Sequence, residues 1–225
     1  MNRDGRGYTT GFTVFDNLFG EFSPGRIHLL VGRTDLNFHL LDRLGILSAE
    51  GGASVYYIDG THRINPFSMA KILRAMRIDP SDALRRTRVS RAFTAHQMDT
   101  LVRISAPSAD PPPDLLVVSA MDHLFSDSEV DPDEARGMLE NCLQVLSDMS
   151  SKGVCVVLAA MGGGRGSDLL QVMSGSSSKW ASLRNRGRGR IKIVTREGKW
   201  ADFRPLPPMQ TILDDFLDHA PEAAS

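Results

Sequence analysis

The sequence predicts an α/β domain built on a mainly parallel sheet with helices on both faces. Three observations lead there. Short apolar runs alternate with stretches of helical period along most of the chain. The runs are apolar throughout, not at every second residue, which suits strands covered on both faces. The length of 225 residues, with 41% apolar and 24% charged, suits one such domain with little left for a second.

Each element has its own signal. Ile27–Val31 is an apolar run closed by Gly32 and reads as the first strand. Leu36–Ala49 reads as a helix stopped by Gly51 and Gly52. Ser54–Ile58 is the second strand. Asn65 caps a helix with Pro66 at its first position. Met69, Ile72, Leu73 and Met76 recur at helical spacing and predict its buried face. Asp79 and Pro80 open a shorter helix by the same device. Arg88–Arg91 is a strand, Thr94–Ile104 a helix, and Ala106–Pro113 a proline-rich surface connection.

Leu115–Val118 is a central strand. Asp131 and Pro132 start the clearest helix, with Met138, Leu139, Cys142, Leu143, Leu146 and Met149 on one face and Gly153 at its end. Val154–Ala160 is a further buried strand. Met161–Ser178 is rich in Gly and Ser and reads as a mobile loop. Trp180–Asn185 and Arg190–Thr195 alternate like a β-hairpin around Arg186-Gly187-Arg188-Gly189. Lys199–Phe203 adds a strand, and a short helix is expected from Met209. Residues 1–208 then form one core domain with a flexible stretch at 1–9, and 209–225 an acidic C-terminal tail.

Composition narrows the function classes. No apolar run reaches the roughly 18–20 residues of a membrane span. The polar start, Met1 to Gly7, is not followed by an apolar signal core, so a cytoplasmic location is expected. Cys142 and Cys155 are the only cysteines and sit in apolar patterns. Buried thiols are expected there, not a disulfide framework or a zinc site. The net charge of -1 conceals a basic segment: residues 161–204 hold ten basic and three acidic side chains. Such a segment can serve a polyanion within a neutral chain.

Several motifs in order are recognisable. Thr10-Gly11, then Phe15-Asp16-Asn17-Leu18-Phe19-Gly20, then Pro24-Gly25-Arg26-Ile27 resembles the opening of RecA/RadA-type recombinase cores. Val55 to Asp59 resembles that family's second strand, and Arg91-Ala92-Phe93 with His96-Gln97 a segment that follows it. Leu115–Phe125 sits where the family has its Walker B strand, and Gly187-Arg188-Gly189-Arg190 is similar to its C-terminal K-G-R-G hairpin. The resemblance covers about Thr10 to Phe203. It implies a RecA-like core.

The departures point away from ATP chemistry. A P-loop cradles phosphates on backbone N–H groups, neutralises them with Lys and holds Mg²⁺ through a hydroxyl. Here the stretch runs Gly32, Arg33, Thr34, Asp35, Leu36, Asn37, Phe38, His39. The first glycine is kept, Asn37 replaces the second, Phe38 the lysine and His39 the hydroxyl residue. By the resemblance, Ser119 stands at the Walker B acid and Thr61 at the glutamate two residues after Asp59. The later phosphate-sensing glutamine is absent from Ala159-Ala160-Met161. The expectation is a degenerate nucleotide site in a pseudo-ATPase, with no catalytic residue, no cofactor and no metal.

The candidate DNA-binding residues are Arg165 in the Gly-rich loop, and Lys179, Arg184, Arg186, Arg188 and Arg190 in and before the hairpin. Loop and hairpin each admit two readings, a phosphate contact or a solvated connection and edge. The hairpin also suits an acidic protein partner. His28, His39, His62 and His123 fall at or near strand ends without ligand spacing, and read as polar filling of an abandoned pocket. Phe12, Phe15, Phe19 and Phe22 read as core. Only nine residues precede Thr10, so autonomous filament formation is not expected.

The resemblance implies an accessory factor in recombination and repair, binding single-stranded DNA, a RadA-type recombinase or another paralog. It leaves both homo- and hetero-oligomers open, and no membrane contact is expected. The alternative is a protein-binding regulatory subunit of a KaiC-like complex with no DNA role. A third is an enzyme using Asp59, His62 and Ser119.

Overall fold

The computed structural model describes residues 7–33, 35–163, 166–186 and 190–203. Eight strands form one sheet in the order β3-β2-β4-β5-β1-β6-β7-β8. They are β1 (Ile27–Val31), β2 (Val55–Asp59), β3 (Thr87–Arg91), β4 (Leu115–Ser119), β5 (Cys155–Ala160), β6 (Lys179–Asn185), β7 (Ile191–Thr195) and β8 (Trp200–Phe203). From β3 through β6 every pairing is parallel, and β7 and β8 add antiparallel. The expected α/β core with its C-terminal hairpin is therefore present, and it is consistent with a RecA-like fold.

Alternation along the strands builds two cores. Leu30, Val55, Tyr57, Leu115, Val117, Cys155 and Val157 face one side. There they meet α1 (Thr13–Phe19), α2 (Asp35–Glu50), α3 (Pro66–Ala75) and α4 (Ser81–Arg85). Leu29, Tyr56, Ile58, Leu116, Val118, Val156 and Leu158 face the other. They pack on α5 (Ala95–Thr100, continued by a π-helical turn, Leu101–Ser105), α6 (Met121–Phe125), α7 (Pro132–Ser151) and α8 (Ser167–Gly175). Covering both faces explains why β2, β4 and β5 are buried at every residue.

Most local signals act as read. The Asn65 side chain accepts from the Phe67 N–H, with Pro66 behind it. Asp131 accepts from the N–H groups of Asp133 and Glu134 at the start of α7, and all six expected apolar residues of that helix are buried. Gly153, at φ 98°, ends the helix by donating to the Ser150 carbonyl. Both thiols are free and buried; burial pushes Cys155 up to about 12 and Cys142 higher still.

Three expectations need correction. Met161–Ser178 is not all loop, because α8 forms within it and buries Leu169 and Met173. Apolar residues four apart outweighed the Gly/Ser content around them. Met76 is 47% exposed, since α3 stops at Ala75 before reaching it. Tyr8, placed in a flexible stretch, is buried and exchanges two backbone hydrogen bonds with Phe22. The acidic tail and its helix lie outside the described residues. No helix among the described residues is long and apolar enough to cross a membrane.

Candidate functional site at the carboxyl edge of the sheet

The carboxyl ends of β1, β2, β4 and β5 lie side by side. The segment after β1, from Gly32 to His39, is the one that the sequence reading set beside a P-loop. Gly32 donates its N–H to the Ala160 carbonyl. A Cβ at Gly32 would stand 2.4 Å from the Leu183 carbonyl oxygen on β6. Strand packing alone therefore demands this glycine. Gly32→Ala is expected to cost about 1–3 kcal/mol by forcing β1 and β6 apart, read from the shift in a urea unfolding midpoint.

Asn37 is buried, and its Nδ2 donates to the Gly32 carbonyl oxygen, tying the first turn of α2 to the end of β1. Its Oδ1 has no partner among the described residues. Phe38 is half-buried and its ring centroid lies 5.2 Å from the Arg63 guanidinium carbon. Arg33 and His39 are exposed. Thr34 lies outside the described residues.

The structure brings Asp59, Thr61 and Ser119 together. Asp59 is fully buried. Its Oδ1 accepts from the Thr61 N–H at 2.9 Å, the Thr61 hydroxyl at 2.7 Å and the Ser119 hydroxyl at 2.8 Å. Its Oδ2 accepts from the Ile64 N–H at 3.0 Å. Burial pushes this carboxyl up, but the hydrogen bonds outweigh burial and hold it below the usual carboxylate range. The hydroxyls of Thr61 and Ser119 thus both aim at one carboxylate. The same contacts fold the turn at residues 60–64 around Asp59.

Two carboxylates escape sequence reading. Asp42, on α2, is 3% exposed, and its Oδ1 has no partner among the described residues. Burial pushes it up to about 7; an Asn65 backbone N–H opposes the rise and the charge on Asp59 adds to it. Its signal was a lone acid inside the apolar stripe of Leu40, Leu41 and Leu44. Asp122, three residues past Ser119, is 2% exposed. It accepts from the N–H groups of Met161 at 3.1 Å and Gly162 at 2.8 Å, clamping the end of β5 to α6. Beside it lies a cleft of about 170 Å³, lined by Arg33, Asp122, His123 and Gly162 among others. That is smaller than the roughly 300–1,000 Å³ usual for a small-molecule site.

The basic strip is real in part. In β6 and β7 the odd-numbered Ala181, Leu183, Ile191 and Ile193 are buried, which turns Arg184 outward. Arg184 pairs directly across from Lys192, whose ammonium lies 4.5 Å from the Trp200 ring centroid. Arg186 and Arg190 are exposed at the turn and joined by an Arg186 N–H to Arg190 carbonyl bond. Lys179 does not belong to the strip. Its Nζ points to the Phe19 and Glu21 carbonyls and lies 5.8 Å from the Phe19 ring centroid. It sits at the amino end of its strand, away from the turn. Arg165 and Arg188 lie outside the described residues.

The histidines do not converge. His28 is buried near the amino end of β1 against Phe19 and Phe22, and burial pushes it down to about 4. His62 stacks on Phe93, with ring centroids 4.3 Å apart, and His123 is exposed at the cleft. Among the described residues, no three His, Cys, Asp or Glu side chains gather as a metal site would require. Phe15, Phe19 and Phe22 are buried and stacked, while Phe12 lies half-buried under the Arg43 guanidinium. No protein-family model matches the chain, and no curated protein matches it in sequence.

Proposed function

We propose that this chain is a non-catalytic RecA/RadA-type core that binds single-stranded DNA along its carboxyl edge and acts as an accessory factor beside an active recombinase. The observation that carries the reading is the closure of Asp59. Its oxygens are satisfied by Thr61, Ser119 and Ile64, leaving a structural carboxylate where the resemblance places ATP chemistry. Phe38 under Arg63 and Asn37 on the Gly32 carbonyl fit the same reading.

The DNA arm rests on charge. Arg33, Arg184, Arg186 and Arg190 are all exposed at the ends of neighbouring strands β1, β6 and β7. The test is titration of labelled single-stranded DNA at two salt concentrations. Replacing Arg186, Arg188 and Arg190 by Ala is expected to weaken binding and to lower the salt slope by about 2. An unchanged slope in that variant defeats the direct DNA role. If the intact protein ignores DNA at low salt, the protein-docking subunit takes its place.

A further inference from the structure

The turn that Asp59 holds presents an aromatic surface whose chemistry the basic strip lacks. His62 sits at its tip with φ 59°, a left-handed backbone uncommon for a residue with a side chain. Its ring lies nearly flat on Phe93, tilted by 24°. Phe93 follows β3 and is 66% exposed, although its backbone is fixed. Its N–H donates to the Gln97 side chain at 2.8 Å, and Thr94 caps α5 just beyond. Phe67, at the start of α3, is 80% exposed. Arg91 is exposed and reaches the Ile64 carbonyl, and Arg63 covers Phe38. The acid of this turn, Asp59, lies buried beneath it with its oxygens already engaged.

Exposed aromatic rings near a cation are what an unpaired nucleic-acid strand recognises. Bases stack on the rings, and phosphates meet the cations. The geometry points to the His62–Phe93 pair, with the exposed Arg91 near it, as a base-stacking platform for single-stranded DNA. This rests on the DNA reading above and adds a second contact point to it. In the strand order, β3 and β6 are five strand spacings apart, roughly 24 Å at about 4.8 Å each. An oligonucleotide that crosses this edge meets both the platform and the arginines of the hairpin. A mononucleotide meets only one. The Asp59 cluster thereby gains a positioning role, because it shapes the turn that carries His62.

The test uses the full chain and an oligonucleotide carrying a 2-aminopurine base, with an abasic oligonucleotide of equal length as control. The wild type is expected to quench the 2-aminopurine and to bind the abasic strand more weakly. Phe93→Ala is expected to weaken binding by roughly 5- to 150-fold and to release the quench, with the salt slope unchanged. Phe93→Trp is expected to retain both. The triple arginine variant is expected to do the reverse, lowering the slope while keeping the quench. Equal binding of abasic and natural strands, or wild-type affinity in Phe93→Ala, overturns the platform and leaves the salt-dependent DNA reading standing. Absence of DNA binding by the wild type at low salt overturns both.

Discussion

Asp59→Ala is expected to destabilise the protein by about 2–4 kcal/mol at neutral pH, through buried donors left without an acceptor. The Ile64 N–H and the Ser119 hydroxyl both end on this carboxylate inside the protein, and Thr61 contributes two more bonds. Asp59→Asn keeps the shape but turns an NH₂ group toward donors, so it should fall between wild type and Ala. The pH dependence follows from the lowered pKa. A carboxyl held below its ordinary 3.8 contributes stability that is complete above that value. It is lost as pH falls through the folded value. Denaturant titrations of wild type and both variants at neutral and acid pH measure this directly. A carboxylate kept for catalysis behaves otherwise, since its removal commonly leaves stability unchanged or raised. A neutral Asp59→Ala would therefore remove the main support for a structural site.

Asp42 is expected to act with the opposite sign. Its carboxyl is raised from 3.8 to about 7 in the folded protein by burial, so the folded state holds a proton that the unfolded chain has released. Stability is then greatest below the ordinary value, declines as pH rises between about 4 and 7, and the contribution is gone above 7. Three pKa units correspond to a loss on the order of 4 kcal/mol. Asp42→Asn should flatten this part of the profile and stabilise the protein at pH 8, because it places a neutral side chain in the same space. The check is the unfolding free energy of both proteins across pH 4–8. Parallel profiles would mean that Asp42 stays ionised, with solvent reaching its Oδ1.

Much of the framework was readable because its signals are local. Asn65 with Pro66, and Asp131 with Pro132, fix helix starts through side-chain bonds that reach no further than three residues. Strands β1, β2, β4 and β5 were legible because burial on both faces makes them largely apolar. The segment after Met161 misled, since Gly and Ser dominate its composition while Leu169 and Met173 decide its structure. Lys179 misled for a different reason. Its place in a basic run says nothing about Phe19 and Glu21, which lie about 160 positions away and take its ammonium.

The site was legible as a set of positions but not as an arrangement. The resemblance singled out Asp59, Thr61 and Ser119 as altered, yet only the β2–β4 register, Asp59 opposite Ser119, makes them one cluster. Gly32 was read as a relic of phosphate binding, whereas the Leu183 carbonyl on β6 gives it a packing reason. Phe93 entered as part of a family-like segment, and its exposure beside His62 follows from the turn that Asp59 organises. Long-range contacts of this kind leave no periodic trace in a single chain.

The most direct measurement is titration of labelled single-stranded DNA onto the purified protein at two salt concentrations, with and without ATP and Mg²⁺. Binding that weakens with salt and ignores ATP is the predicted result, because the cations lie on the open edge while Asp59 is closed by its own neighbours. An ATP-dependent gain in affinity would contradict it, and would mean that the segment from Gly32 to His39 still holds a triphosphate.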